Sequence, residues 1–236
     1  MTLLRLFVAT VLLASSLVHA ADFGAAARSP RARSLPAPER DRDLVSAYAA
    51  YQRGDAKRAY AAYLRAAKRG QPIGEFNVAV MAFNGEGTKT DVDAARVWLE
   101  RAATKGFALA QYNLGLLYEN GTGVAKSQPD ANRWYLRAAE QGNVDAELAI
   151  ATQYLLGRGI DRDLASAAGW YERAAEAGNP DAQYTIASLY EHGEGVVADR
   201  ERAVLWYAAA ARQGDRAALE KVRVLAEEQA AERGTN

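Results

Sequence analysis

Small and apolar residues recur at helical spacing along most of the chain, and the helical segments themselves recur every 36 residues. Glycines mark the period at Gly70, Gly106, Gly142, Gly178 and Gly214. A register kept over four consecutive periods indicates one structural unit repeated in tandem. The same spacing relates four tryptophans and four glycine pairs, namely Trp98, Trp134, Trp170 and Trp206, with Gly85 and Gly87, Gly121 and Gly123, Gly157 and Gly159, and Gly193 and Gly195.

Each period contains two predicted helices. In the clearest one, apolar positions predict a first helix over 110–120, and Gly121 ends it because glycine tolerates the left-handed backbone that follows helix C-termini. Pro129 suits the first turn of the second helix, where no amide donor is needed. Gly142 is predicted to end that helix in the left-handed conformation, and Asn143 to cap the next one. The tryptophans are predicted to be core residues that pack against paired alanines.

The residues before the repeats differ in composition. Residues 1–20 combine one early arginine, an uncharged run at 6–18 and small residues before a cleavage point, a pattern typical of a secretory signal peptide. The apolar run is shorter than the ~20 residues of a membrane span. Residues 21–38 interleave arginine with proline and alanine and lack an apolar period, which predicts a disordered basic linker.

Three further segments complete the predicted organisation. Residues 39–71 form a shorter helix pair, and residues 72–214 form four units of 36 residues. Residues 215–236 predict a capping helix and tail, because a stack of repeats needs an end that covers its last apolar face. The sequence therefore predicts an all-α fold of stacked helix pairs.

Composition excludes several kinds of chemistry. The 29 basic and 29 acidic side chains cancel, which argues against a dedicated nucleic-acid-binding protein. There is no cysteine and there are only two histidines, so disulfides, thiolate nucleophiles and multi-histidine metal sites are not expected. No nucleophile or metalloprotease motif occurs, and the Gly-x-Gly pairs never follow a strand, so we interpret them as turns. We expect no catalytic residue, metal or cofactor.

The repeated unit resembles a known family. One period contains the motifs Leu114-Gly115-x-x-Tyr118, Gly121-x-Gly123-Val124, Ala131-x-x-Trp134-Tyr135 and Ala138-Ala139-x-x-Gly142. This pattern is similar to the Sel-1-like repeat of the tetratricopeptide superfamily, and the shorter pair at 39–71 resembles a plain tetratricopeptide. The resemblance implies a right-handed α–α superhelix, or solenoid, whose concave face holds other proteins. It also implies export, which is frequent among bacterial members.

Positions that vary between units are the candidates for function. Glu119 and Glu191 correspond to Phe83 and Leu155, while Leu156 corresponds to polar residues in the other units. Apolar residues where other units are polar predict a binding patch, because exposed apolar groups usually mark a contact. The alternative, that these side chains pack between helices, stays open. The predicted partner-binding residues of the concave face are Phe83, Leu155, Leu156, His192, Glu119, Phe76, Val80, Tyr112, Leu116 and Ser188.

These observations predict an exported scaffold that binds a protein or peptide on its concave face and catalyses no reaction. We expect a periplasmic monomer that neither binds nucleic acid nor stays inserted in a membrane after cleavage of the signal peptide. Two alternatives stay open. One is a hydrolase or binding protein for cell-wall fragments, and the other is a spacer within a larger envelope assembly.

Overall fold

The computed structural model describes residues 41–234, with side chains as far as residue 229. The predicted signal peptide at 1–20 and the predicted linker at 21–38 lie outside these residues. Within them the fold is all-α, as the sequence predicts, with eleven helices and no strand. The helices are α1 Arg42–Gln52, α2 Ala56–Lys68, α3 Pro72–Asn84, α4 Val92–Thr104, α5 Ala108–Asn120, α6 Gln128–Ala139, α7 Val144–Leu156, α8 Leu164–Glu176, α9 Pro180–His192, α10 Arg200–Arg212 and α11 Arg216–Gly234.

The helix ends follow local signals in the sequence. Gly142 has a φ of 81°, which confirms the predicted left-handed backbone after α6. The side chain of Asn143 then accepts a hydrogen bond from the backbone N–H of Ala146 at 2.8 Å and caps α7. Pro180 occupies the first turn of α9, which is capped in the same way by Asn179. These short-range signals fix where α6 ends and where α7 and α9 begin.

The described residues form two compact units that divide inside α5. Unit 1 ends at Ala110, and unit 2 starts at Gln111. In unit 1, the core formed by α1, α2 and α3 combines alanines with a few larger side chains, including Tyr63, Val78 and Met81. Alanine leaves little space between helices, so large and small residues can interlock at close-packed density.

Two apolar clusters form the core of unit 2. The first joins α5, α6 and α7 around Tyr135 and Ile150. The second joins α7 to α11 around Tyr171, Ile186 and Tyr207. Because α7 contributes to both clusters, the first helices of successive repeats, α5, α7 and α9, are held in order by shared side-chain packing.

The tryptophans lie at the edge of the core, where Trp98, Trp170 and Trp206 pack against the apolar clusters. All four are only partly buried. Guanidinium groups three residues later lie over the rings of Trp98, Trp134 and Trp170, at 4.5 to 4.6 Å from the ring centroids. The fully buried aromatic residues are instead the tyrosines that follow the tryptophans, such as Tyr135 and Tyr207. The helix crossing turns the second aromatic inward and leaves the tryptophan at the edge, where an arginine stacks on it.

The glycine pairs hold tight turns between the two helices of a repeat. In unit 1, a Cβ atom added to Gly87 would lie 2.2 Å from the carbonyl oxygen of Ala56. In unit 2, a Cβ atom added to Gly195 would lie 2.1 Å from the carbonyl oxygen of Leu164. Both glycines also have a positive φ. Each turn therefore packs against the start of an earlier second helix, at a distance that only glycine allows.

Candidate partner-binding face

Three of the predicted partner-binding residues are buried, so the expectation that they face a partner is wrong. Phe76, Val80 and Tyr112 are only 2%, 4% and 5% exposed. Phe76 packs edge-on against Phe107 at 5.4 Å between ring centroids, and Tyr112 packs against Tyr135 at 5.7 Å. The helical spacing of these residues is that of core positions, and their side chains serve packing within their own units.

The other predicted residues are at least partly accessible. Phe83 lies in unit 1 and is half-buried. In unit 2, Leu116 and Leu155 lie at the edges of the two apolar clusters, whereas Leu156 is 48% exposed. His192 is exposed, and its Nδ1 lies 2.8 Å from the carbonyl oxygen of the half-buried Ser188.

The accessible positions of α5, α7 and α9 form one repeated stripe, which we call the open face of unit 2. Its members recur every three or four residues along each helix and every 36 residues between helices, so they lie on the same side. The open face comprises Leu116 and Asn120 of α5, Asp145, Ala149, Thr152 and Leu156 of α7, and Asp181, Thr185, Ser188 and His192 of α9.

Glu119 lies beside the open face and has a structural role that the sequence analysis missed. Its carboxylate accepts a hydrogen bond from the Tyr135 hydroxyl at 2.5 Å and another from Gln153 Nε2 at 3.3 Å. Burial and the hydrogen bond to Glu119 raise the pKa of Tyr135, so the phenol stays protonated and donates. Glu119 therefore supplies the acceptor for the buried Tyr135 hydroxyl, and this hydrogen bond contributes to the stability of the fold.

The equivalent glutamate two repeats later has the same tyrosine and one additional partner. Glu191 accepts a hydrogen bond from the Tyr207 hydroxyl at 2.7 Å. Lys221 of α11 places its Nζ 2.9 and 3.0 Å from the two carboxylate oxygens of Glu191. Burial favours a raised pKa for Glu191, but the hydrogen bonds from Lys221 and Tyr207 outweigh it and hold that pKa below its ordinary value.

The repeats without a glutamate here also lack the need for one. Phe83 corresponds to Glu119, and Leu99 stands where Tyr135 would be, so there is no hydroxyl to satisfy. Leu155 is followed by Tyr171, whose hydroxyl lies 3.0 Å from Thr152 Oγ1. In two repeats a glutamate is followed 16 residues later by the tyrosine that bonds to it. This co-occurrence is visible in the sequence, and it is the signal from which the role of Glu119 could be predicted.

Other buried polar side chains form pairs that connect the two helices of each repeat. Glu75 is fully buried and receives Lys105 Nζ at 2.6 Å, and Glu147 receives Arg173 at 2.8 Å. Burial raises the pKa of Glu147, and Arg173 opposes that shift. At the same position the remaining repeats use amide pairs, with Gln141 donating to Gln111 at 2.6 Å and Gln213 to Gln183 at 2.8 Å. These ion pairs and amide pairs connect the two helices of each repeat, so their role is structural.

Metal-binding clusters and membrane-spanning helices are both absent from the described residues. Between residues 41 and 229, no three histidine, aspartate or glutamate side chains come close enough together to hold a metal ion. None of the described helices combines the length and the apolar character that a bilayer crossing requires.

Comparison with known proteins identifies the repeated unit. Four consecutive segments, 72–107, 108–143, 144–179 and 180–215, match the Sel1 repeat. The structure of a Sel1 repeat protein from Oxalobacter formigenes is 32% identical, with a TM-score of 0.72, over 75% of this chain and 73% of that one. A protective antigen of uropathogenic Escherichia coli with an SLR fold is 29% identical, with a TM-score of 0.75 over 82% of this chain, which spans 43% of the antigen's length. None of the curated proteins compared with the chain matches it.

Proposed function

The chain belongs to the Sel1 repeat family of helical scaffolds, and we propose that it is an exported, non-catalytic scaffold that binds a protein or peptide on the open face of unit 2. Export rests on the signal-peptide pattern at residues 1–20, and the periplasm is the favoured compartment. The likeness to a protective antigen supports a location outside the cytoplasm, because a host immune response must reach such a protein.

The observation that carries the proposal is the exposure of Leu156. Its register equivalents are Asn120 and His192, which are polar and exposed, so the fold has no need of a leucine there. Leu156 nevertheless keeps 48% of its surface open to solvent at the end of α7. An apolar side chain that the fold does not use, on a face shared by three parallel repeats, is typical of a contact with a partner.

A non-catalytic role fits the way this chain uses its charged groups. The most buried carboxylates, Glu75 and Glu147, are each neutralised by a cation and tie two helices together. The tyrosines with raised pKa values donate to Glu119 and Glu191 inside the helix stack. A general acid or base needs access to substrate, whereas the Glu75 and Glu147 carboxylates and the two tyrosines are buried.

Site-specific photo-crosslinking in envelope extract tests the proposal. A photoreactive amino acid at Leu156 should yield a discrete crosslinked protein. The matched control is Leu205, which is 68% exposed on the second helix α10 of the same unit and lies outside the open face. Equal crosslinking from both positions, or none from Leu156, would contradict the proposed binding face. Export is checked by mass spectrometry, which should find a mature chain that starts at Ala21.

A further inference from the structure

The last repeat shows what the glutamate beside the open face can bind. Glu191 holds the ammonium group of Lys221, which also lies 5.9 Å from the centroid of the Tyr207 ring. A carboxylate and the face of an aromatic ring together form a favourable environment for a cation. The chain therefore contains one example of a lysine, Lys221 of α11, that pairs with the glutamate at this position, Glu191 of α9.

The equivalent place beside Glu119 lacks this cation. Residue 149 is the register equivalent of Lys221, and it is alanine. Within the described residues, Glu119 is bonded to Tyr135 and Gln153 and to no lysine or arginine. The glutamate and tyrosine of the last repeat are thus both present between α5 and α7, and the ammonium group is missing.

Gln153 independently indicates that a hydrogen-bond donor can bind beside Glu119. It is only 4% exposed, and it stands at a position where the other repeats have Met81, Leu117 and Leu189. Its Nε2 donates to Glu119, so the amide lies at the carboxylate, while its buried Oε1 has no hydrogen-bond partner. A buried acceptor without a donor is destabilising, and such groups are rare in native proteins unless something supplies the donor.

A second carboxylate makes the place more negative. Asp145 lies in the first turn of α7 on the open face, and burial raises its pKa. Burial is also the main cause of the raised pKa of Tyr112, to which the charges of Asp145 and Glu119 both add. Both carboxylates therefore lie near enough to the Tyr112 hydroxyl to act on it by charge. A positive group that enters beside Glu119 gains attraction from both.

We propose that the partner inserts a lysine side chain between α5 and α7, with its ammonium group on Glu119. The ammonium donates to Glu119 and to the buried, unpaired Oε1 of Gln153, in the place that Lys221 fills at Glu191. A lysine fits better than an arginine, because its three donors diverge from one atom toward acceptors on two different side chains. This inference rests on the proposed function and adds the chemistry of the partner.

A random peptide library displayed on phage tests the inference. Peptides are selected on the wild-type protein, and the same peptides are then measured on Glu119→Gln and on Leu156→Glu. Glu119→Gln keeps an acceptor for Tyr135 but removes the negative charge. We expect selected peptides to share a lysine, and their affinity to fall about tenfold or more both on Glu119→Gln and when that lysine is replaced by norleucine.

The two proposals fail in different ways. Peptides that lose affinity on Leu156→Glu, yet bind Glu119→Gln and the norleucine peptide as tightly as the originals, would overturn the lysine site and leave the binding face intact. Peptides indifferent to Leu156→Glu, or no selected peptide at all, would contradict the binding face and the lysine site together.

A blocking variant gives a second readout. Ala149→Lys places a lysine at the register of Lys221, where it should pair with Glu119 and exclude the peptide lysine. We expect peptide affinity to fall about tenfold or more while helicity and melting temperature stay near those of the wild type. The control is Leu205→Lys, which adds the same charge outside the open face and should leave affinity unchanged. Undiminished binding to a folded Ala149→Lys protein would overturn the inference.

Discussion

Glu119 and Glu191 occupy the same position of two repeats and accept a hydrogen bond from the same kind of buried tyrosine, but among residues 41–229 only Glu191 of the two is paired with a cation. The difference comes from one position on the following first helix, which is Ala149 in α7 and Lys221 in α11. Two repeats therefore contain the same carboxylate acceptor. Within the described residues, Lys221 pairs with Glu191, and no lysine or arginine pairs with Glu119.

Glu119 and Glu191 are equivalent only if the helices around them have the same arrangement. The glycines of the turns between helices maintain that arrangement. Gly195→Ala should cost about 2–5 kcal/mol, because the new methyl group adds an overlap with the Leu164 carbonyl to the strain of a positive φ. Gly142→Ala should cost only about 1–2 kcal/mol, since nothing lies within 4 Å of its added Cβ. Thermal unfolding separates the two variants, and equal losses would show that the close approach at Gly195 is absent.

The tyrosine pairing is tested by removing its acceptor. Glu119→Leu leaves the Tyr135 hydroxyl buried without a partner and should cost about 1–3 kcal/mol in the free energy of unfolding. Adding Tyr135→Phe should recover much of that loss, because no hydroxyl then needs an acceptor. Leu116→Thr should also restore part of it, since it recreates the Thr152–Tyr171 pair of the next repeat. A double-mutant cycle by urea unfolding measures these couplings, and strictly additive losses would contradict the pairing.

The sequence predicts the local features of this fold well and the long-range ones poorly. The left-handed backbone at Gly142 and the cap at Asn143 follow from residues that are neighbours in the chain. The burial of Tyr135 in place of Trp134 depends on how helices cross, which adjacent residues do not encode. The structural role of Glu119 is hidden from the sequence for the same reason. Its partners lie 16 and 34 residues away on other helices, so its role is visible only when whole repeats are compared.

The ion pair at Glu191 should make part of the stability depend on pH. The pKa of Glu191 in the folded protein lies below its ordinary value of 4.5, so the pair stabilises the fold above that value and is lost as pH falls through the folded pKa. Lys221→Met should cost about 1 kcal/mol at neutral pH and progressively less in acid. Urea unfolding across this range checks the trend, and a difference that persists unchanged at low pH would rule out a role for the charge.

The equivalence of the two glutamates is tested most directly by a crystal structure of the Ala149→Lys variant. We expect the new Nζ to lie about 2.7–3.2 Å from a carboxylate oxygen of Glu119, as Lys221 Nζ does from Glu191. The Gln153 Oε1 should then face the same ammonium group. A lysine that extends into solvent, with Glu119 still bonded only to Tyr135 and Gln153, would contradict the claim that the place beside Glu119 is built for an ammonium group.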